Sequence, residues 1–129
     1  MRLLLDTHAL LWWLADDPAL PPSARRFIRA RSNTVFVSAA SAWEIATKSR
    51  IGKLPQAADL ALRFDEVLLQ ESFESLPITS THAARAGLLP GPHKDPFDRM
   101  LIAQSQAENL PILSNDSVFD TYKLRRLWD

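Results

Sequence analysis

Asp6 closes the apolar run Arg2-Leu3-Leu4-Leu5, and Asp116 follows a second one, Pro111-Ile112-Leu113-Ser114, so two carboxylates stand where β-strands should stop. In open α/β sheets ligands bind at that edge. Glu44, inside a helical pattern opened by Ser38, and Asp98, in the first turn of a helix opened by Asp95-Pro96, could project toward the same edge. Carboxylates gathered in one pocket repel unless a cation offsets them, so the chemistry indicated is a divalent-metal site built from oxygen ligands.

Each acid also has a simpler explanation. A charge ending a buried strand must be solvated, paired or metal-bound, yet Asp6 could equally cap the next helix, a contribution of about 1 kcal/mol. Asp116 could cap Ser117-Val118-Phe119 in the same way. Glu44 lies too deep in its helix for capping; Ala40, Trp43 and Ala46 or Thr47 should share one face, leaving Glu44 at its margin. An exposed pair with Lys48 at i,i+4 would explain it as well. In D-P-F-D, Asp95 is assigned to the N-cap, Pro96 to the first helical position and Asp98 to the pocket, offset from the core-facing Leu101 and Ile102. Thr7 and Ser114 place hydroxyls beside the strand-end acids, either to orient a carboxylate or to cap. His8, His82 and His93 lack zinc-site spacing and are assigned no ligand role. Trp12, Trp13 and Trp43 are assigned to the core or a subunit interface rather than to base stacking.

These residues need strands and helices in alternation. Helices are expected from 7 to 15, from Pro22 to Arg31, from Ser38 to about Arg50 with Gly52 as terminator, and from Ala57 to Gln70. Thr34 to Val37 should be a strand, and Phe73 to Ile78 is a weaker candidate. Thr79 or Ser80 should cap a helix that stops near Leu89-Pro90-Gly91-Pro92, and the helix from Asp95 should run to about Asn109. Strand Ile112 to Ser114 follows, then a short helix and an edge strand around Arg126-Leu127-Trp128. The alternation argues for an α/β fold with a central, mostly parallel sheet of four to five strands and helices on both faces.

The 129 residues, 47% hydrophobic, suit a single domain with its own core. Without cysteine there are no disulfides, thiolate metal sites or cysteine nucleophile, which suits a reducing compartment, and a cytoplasmic location is expected. Asp6 and His8 interrupt the N-terminal apolar stretch before it reaches signal-peptide length, and no stretch approaches the roughly 20 apolar residues of a membrane span. Fifteen basic and fifteen acidic side chains cancel. Their distribution is uneven: Arg25, Arg26, Arg29, Arg31, Lys48, Arg50 and Lys53 face only Glu44 between residues 23 and 53, whereas residues 59 to 74 are acidic except for Arg63. A basic lobe beside a carboxylate pocket is what a metal nuclease needs to hold a phosphodiester backbone, although a solvated helix face would read the same way. With three glycines, the chain has no phosphate-binding glycine loop and no Gly-x-Ser-x-Gly elbow.

The segments LLLDTHALLWWL, SAASAWEIATKSRIGKL and HKDPFDRMLIAQSQAENLPILSNDSVF together resemble the PIN-domain nucleases, and specifically VapC-type toxins of bacterial toxin–antitoxin pairs. The resemblance spans nearly the whole chain. It implies a PIN-like fold over residues 1–129 and an acidic quartet at Asp6, Glu44, Asp98 and Asp116. It further implies magnesium- or manganese-dependent ribonuclease activity, restrained by a small cognate antitoxin, and makes a homodimer the expected assembly. Ser105 stands where such sequences often carry alanine, and Ser114 replaces a common threonine while keeping the hydroxyl. Lys48, Arg50, Lys94 and Arg99 are candidates for holding the RNA backbone, chosen for closeness in sequence to the acids. A haloacid-dehalogenase phosphatase would want a second Asp where this chain has His8, and a phosphoacceptor receiver would want an Asp ending a middle strand. The remaining alternative is a catalytically inactive PIN-like module that binds a partner protein.

Overall fold

Leu3, Leu4 and Leu5 are wholly buried, and their side chains go alternately to two cores. Leu3 and Leu5 join a cluster with Leu10, Ile28, Ile45 and Leu68, whereas Leu4 joins Leu101, Ile102, Ile112 and Phe119. Only a strand covered on both faces buries a continuous apolar run in this way. That strand, β1 (Arg2–Leu5), is the middle of a five-stranded sheet in a computed structural model that describes residues 1–129.

The other strands are β2 (Thr34–Ser38), β3 (Glu74–Leu76), β4 (Ile112–Leu113) and β5 (Arg126–Leu127). Their order is β3-β2-β1-β4-β5 and every pairing is parallel. The α/β architecture expected from the alternation is therefore present, with its sheet parallel throughout. In register, Leu5 lies level with Val37 on one side and Leu113 on the other. The residues that follow, Asp6, Ser38 and Ser114, thus leave the sheet along one edge.

Seven α-helices connect the strands: α1 (Thr7–Leu14), α2 (Pro22–Arg29), α3 (Ala39–Arg50), α4 (Ala58–Leu62), α5 (Phe64–Gln70), α6 (Ser80–Leu88) and α7 (Pro96–Glu108). Ser38 caps α3 by accepting from the Ala40 N–H at 2.9 Å. Thr79 and the buried His82 close a reciprocal capping box on α6, in which the Thr79 N–H donates to His82 Nδ1 at 3.1 Å. His82 Nε2 then reaches Glu108 at 2.9 Å, which accounts for this histidine structurally. Asn109 ends α7 in the left-handed conformation.

Two expectations need correction, and one is made more specific. The helix from Ala57 to Gln70 is interrupted at Arg63 (φ −114°, ψ 25°), so that α4 packs on α3 while α5 turns toward β3. The Arg63 guanidinium spans the break, donating to Asp59 at 3.2 Å and Glu66 at 2.9 Å. The short helix expected after Asp116 is present and is a 3-10 helix (Ser117–Tyr122). Finally, α3 buries Ala40, Ser41, Glu44 and Ile45, leaving Trp43 at 56% exposure. The small residues, not the tryptophan, make the close approach to the sheet. Gly91, at φ +103°, lies where a Cβ would come within 2.8 Å of the Tyr122 hydroxyl, which explains the absence of a side chain in that turn. No helix is long and apolar enough to cross a membrane.

Candidate metal centre

Asp6 is only 7% exposed and does two jobs at once. Its Oδ1 accepts from the Ala9 N–H at 2.7 Å, capping α1. Its Oδ2 accepts from the Ser114 hydroxyl, across 108 positions of sequence. Burial pushes the Asp6 carboxyl above its ordinary range, opposed by the Ser114 and Ala9 hydrogen bonds and by His8, while the Asp116 charge pushes the same way as burial.

Asp116 follows β4 and caps the 3-10 helix, accepting from the Val118 N–H at 3.0 Å. Its own N–H donates to Ser114 Oγ at 3.0 Å. The fully buried Ser114 hydroxyl is therefore a bridge, donating to one acid's side chain and accepting from the other's backbone. Asp6 and Asp116 line one open cavity of about 400 Å³ together with His8, Trp12, Asn115 and Ser117.

Glu44 and Asp98 form a second focus. Glu44, 4% exposed, is ion-paired with Lys48 one helical turn on, the pairing that the i,i+4 spacing offered. It lines a cavity of about 240 Å³ with Thr7, His8, Leu11, Lys48, Lys53 and Leu54. Asp98 accepts from His93 Nε2 at 2.9 Å. Burial lifts its pKa to about 6; the His93 hydrogen bond works against this, and the charges of Asp95 and Glu44 add to it. Asp95 is the cap of α7, accepting from the N–H groups of Phe97 and Asp98 at 2.9 and 3.0 Å. His8 borders both cavities.

No group of three or more acidic or histidine side chains is placed to hold a metal ion together. Asp6 and Asp116 remain a pair of hard oxygen donors on an open cavity. Magnesium takes no more than that from many proteins, one or two carboxylates with waters and substrate phosphate oxygens completing its shell. The donor chemistry fits such an ion without forming a closed cage.

The supporting residues divide. Ser114 orients Asp6 as its position suggested, whereas Thr7 bonds Ser41 at 2.9 Å and ties α1 to α3 instead of touching an acid. Arg50 and Lys94 are exposed, and Lys48 is held by Glu44. The Arg99 side chain is taken up within the fold. Its guanidinium donates to the carbonyls of Ala86, His93 and Leu89 at 2.7 to 3.1 Å, fastening the end of α6 and the loop beyond it. Sequence reasoning set aside His8 and His93 because it asked only about zinc spacing; their positions two residues after Asp6 and five before Asp98 were the available signal.

The family model described as the PIN domain matches residues 3–124. No curated protein matches the chain. Among solved structures, VapBC2 from Rickettsia felis, bound to a DNA fragment from its promoter, aligns over 100% of both chains at TM-score 0.72 and 19% identity. VapBC-1 from nontypeable Haemophilus influenzae aligns over 98% of this chain and 97% of its own at TM-score 0.66 and 14% identity. At these identities the likeness is one of fold.

Proposed function

The chain belongs to the PIN-domain family, and from that premise we propose that it is a magnesium- or manganese-dependent endoribonuclease, the toxin of a toxin–antitoxin pair. The observation that carries this reading is the Asp6–Ser114–Asp116 linkage at the carboxyl edge of the central strands. Each acid caps a helix, but capping alone does not require the two to meet on one open cavity, where burial and the Asp116 charge both work against an ionised Asp6.

In this reading Asp6 and Asp116 would hold the ion, and Glu44 and Asp98 would complete the acidic set from the adjoining helices. The ion, when bound, offsets the phosphate charge and acidifies a water. The chain's own side chains fix the rest. Ser114 keeps Asp6 from rotating away, Lys48 balances Glu44, and His93 holds Asp98 in place. The exposed Arg50 and Lys94 supply positive charge for the RNA backbone, with Lys48 committed to Glu44. Residues 1–129 act as one domain in the cytoplasm, as a homodimer, with a small antitoxin protein as partner.

The absence of a three-donor cluster favours one competing reading, an inactive PIN-like interaction module. Cleavage separates the two. Protein freed of any partner, mixed with structured and unstructured RNA, should cut only with magnesium or manganese, and Asp6→Asn should lower the rate at least about a hundredfold, the scale of losing a charge-stabilising group. Wild-type protein that binds RNA or a partner without cutting under these conditions would establish the module instead.

A further inference from the structure

Gly52 lets the chain fold back on the end of α3. At φ +84° it adopts the left-handed conformation, and the N–H groups of Lys53 and Leu54 both donate to the Lys48 carbonyl, at 2.9 and 3.0 Å. Lys48 and Lys53 are thereby brought to one cavity, the one of about 240 Å³ that Glu44 also lines. Their charges are not equally committed. Lys48 is ion-paired with Glu44, whereas Lys53 takes part in none of the molecule's ion pairs. The carboxylate of this cavity is already balanced, and a positive charge is left over.

The neighbouring cavity has the opposite character, since Asp6 and Asp116 line it. His8 is a wall of both. One compartment therefore calls for a cation and its adjoining compartment for an anion. A second metal ion does not suit the latter, because two ammonium groups face it. A ligand with a single negative charge could use only one compartment at a time, whereas a nucleic-acid strand carries a charge at every linkage and can use both together. Leu11 and Leu54 supply apolar wall beside Lys53, and an anion there is screened less than it would be in open water.

We propose that the Lys53 cavity is a phosphate subsite, occupied by the backbone phosphate next to the one that is cut. This rests on the nuclease reading and adds to it a requirement on the substrate: two consecutive charged linkages engage the protein, one at the acids and one across His8 at Lys53. Lys53 is a positioning residue; it holds the strand and takes no part in bond breaking.

The test is competition by short strands against a fluorescently labelled RNA bound to the full-length protein, with calcium in place of magnesium to slow cutting. One trinucleotide carries two phosphodiester linkages; in two others, one or the other linkage is replaced by an uncharged methylphosphonate. The wild type should bind the fully charged strand about fivefold more tightly than either mixed strand. Lys53→Ala should bind all three alike, at the affinity the wild type shows for the mixed strands. Arg31→Ala, which removes the same charge from an exposed site ahead of β2, should keep the wild-type preference. A wild type that does not tell the strands apart overturns the proposal. So does Lys53→Ala that keeps the preference, or Arg31→Ala that loses it, since the charge would then act from anywhere on the surface. Cleavage of a longer RNA in magnesium is followed in parallel. Cutting without a Lys53-dependent preference removes the subsite and keeps the nuclease; the preference without cutting removes the nuclease and keeps a phosphate-binding cavity.

Discussion

Two carboxyls in this molecule are pushed above their ordinary range, both chiefly by burial. Asp98 has its pKa lifted to about 6 from 3.8, chiefly by burial. A raised carboxyl pKa means that the folded protein holds a proton the unfolded chain has already released. Between pH 4 and 6 the folded state therefore binds more protons, and stability falls as pH rises through that window. Without divalent ions, the wild-type melting temperature should fall relative to that of Asp98→Asn as pH rises from 4 to 6, measured by differential scanning fluorimetry. Manganese should reduce the difference, because it favours the ionised carboxylate. Parallel curves for the two proteins would mean that Asp98 titrates normally. Asp6 is shifted in the same direction for the same leading cause. At this scale the sequence was informative about type and misleading about company. The Glu44–Lys48 pair was readable from i,i+4 spacing, but the His93–Asp98 contact depends on how the loop from Leu89 to Lys94 folds back, which no local pattern records.

Among the elements, α7 shows the difference between closeness in sequence and role in structure. Arg99 follows Asp98, yet its side chain points back along the helix to the carbonyls that end α6. Hydrogen bonds that involve a charged group contribute about 1.5 to 3 kcal/mol each, and these are only partly buried. Arg99→Ala should lower unfolding free energy in urea by about 2 to 3 kcal/mol, with the slope of log RNA affinity against log salt unchanged. Lys94→Ala should instead leave stability alone and reduce that slope by about one. The reverse pattern would return Arg99 to the RNA surface. Strong local signals, such as Ser38 before α3 and Asp95-Pro96 before α7, located helix starts well. The break at Arg63 was not visible, because the apolar spacing of Leu60, Phe64 and Leu68 runs straight through it. The exposure of Trp43 was missed for a related reason. Periodicity identifies a face by hydrophobicity, and α3 approaches the sheet through alanine, serine and isoleucine.

Over the whole molecule, the parallel arrangement was legible because buried strands read as unbroken apolar runs, and Leu3-Leu4-Leu5 is one. Strand order was not, since nothing local says that β4 returns to lie beside β1. That adjacency puts Ser114 against Asp6 and brings the two ends of the chain into contact. The account of function depends on this meeting serving to bind a hard cation. Manganese binding followed by electron paramagnetic resonance reads that directly, because free Mn2+ gives a sharp signal that coordination broadens. The wild-type protein should take up manganese, and Asp116→Asn, whose exposed side chain can be changed without disturbing the core, should bind it at least about tenfold more weakly. Undiminished free signal with the wild type, or equal uptake by the variant, would contradict the claim.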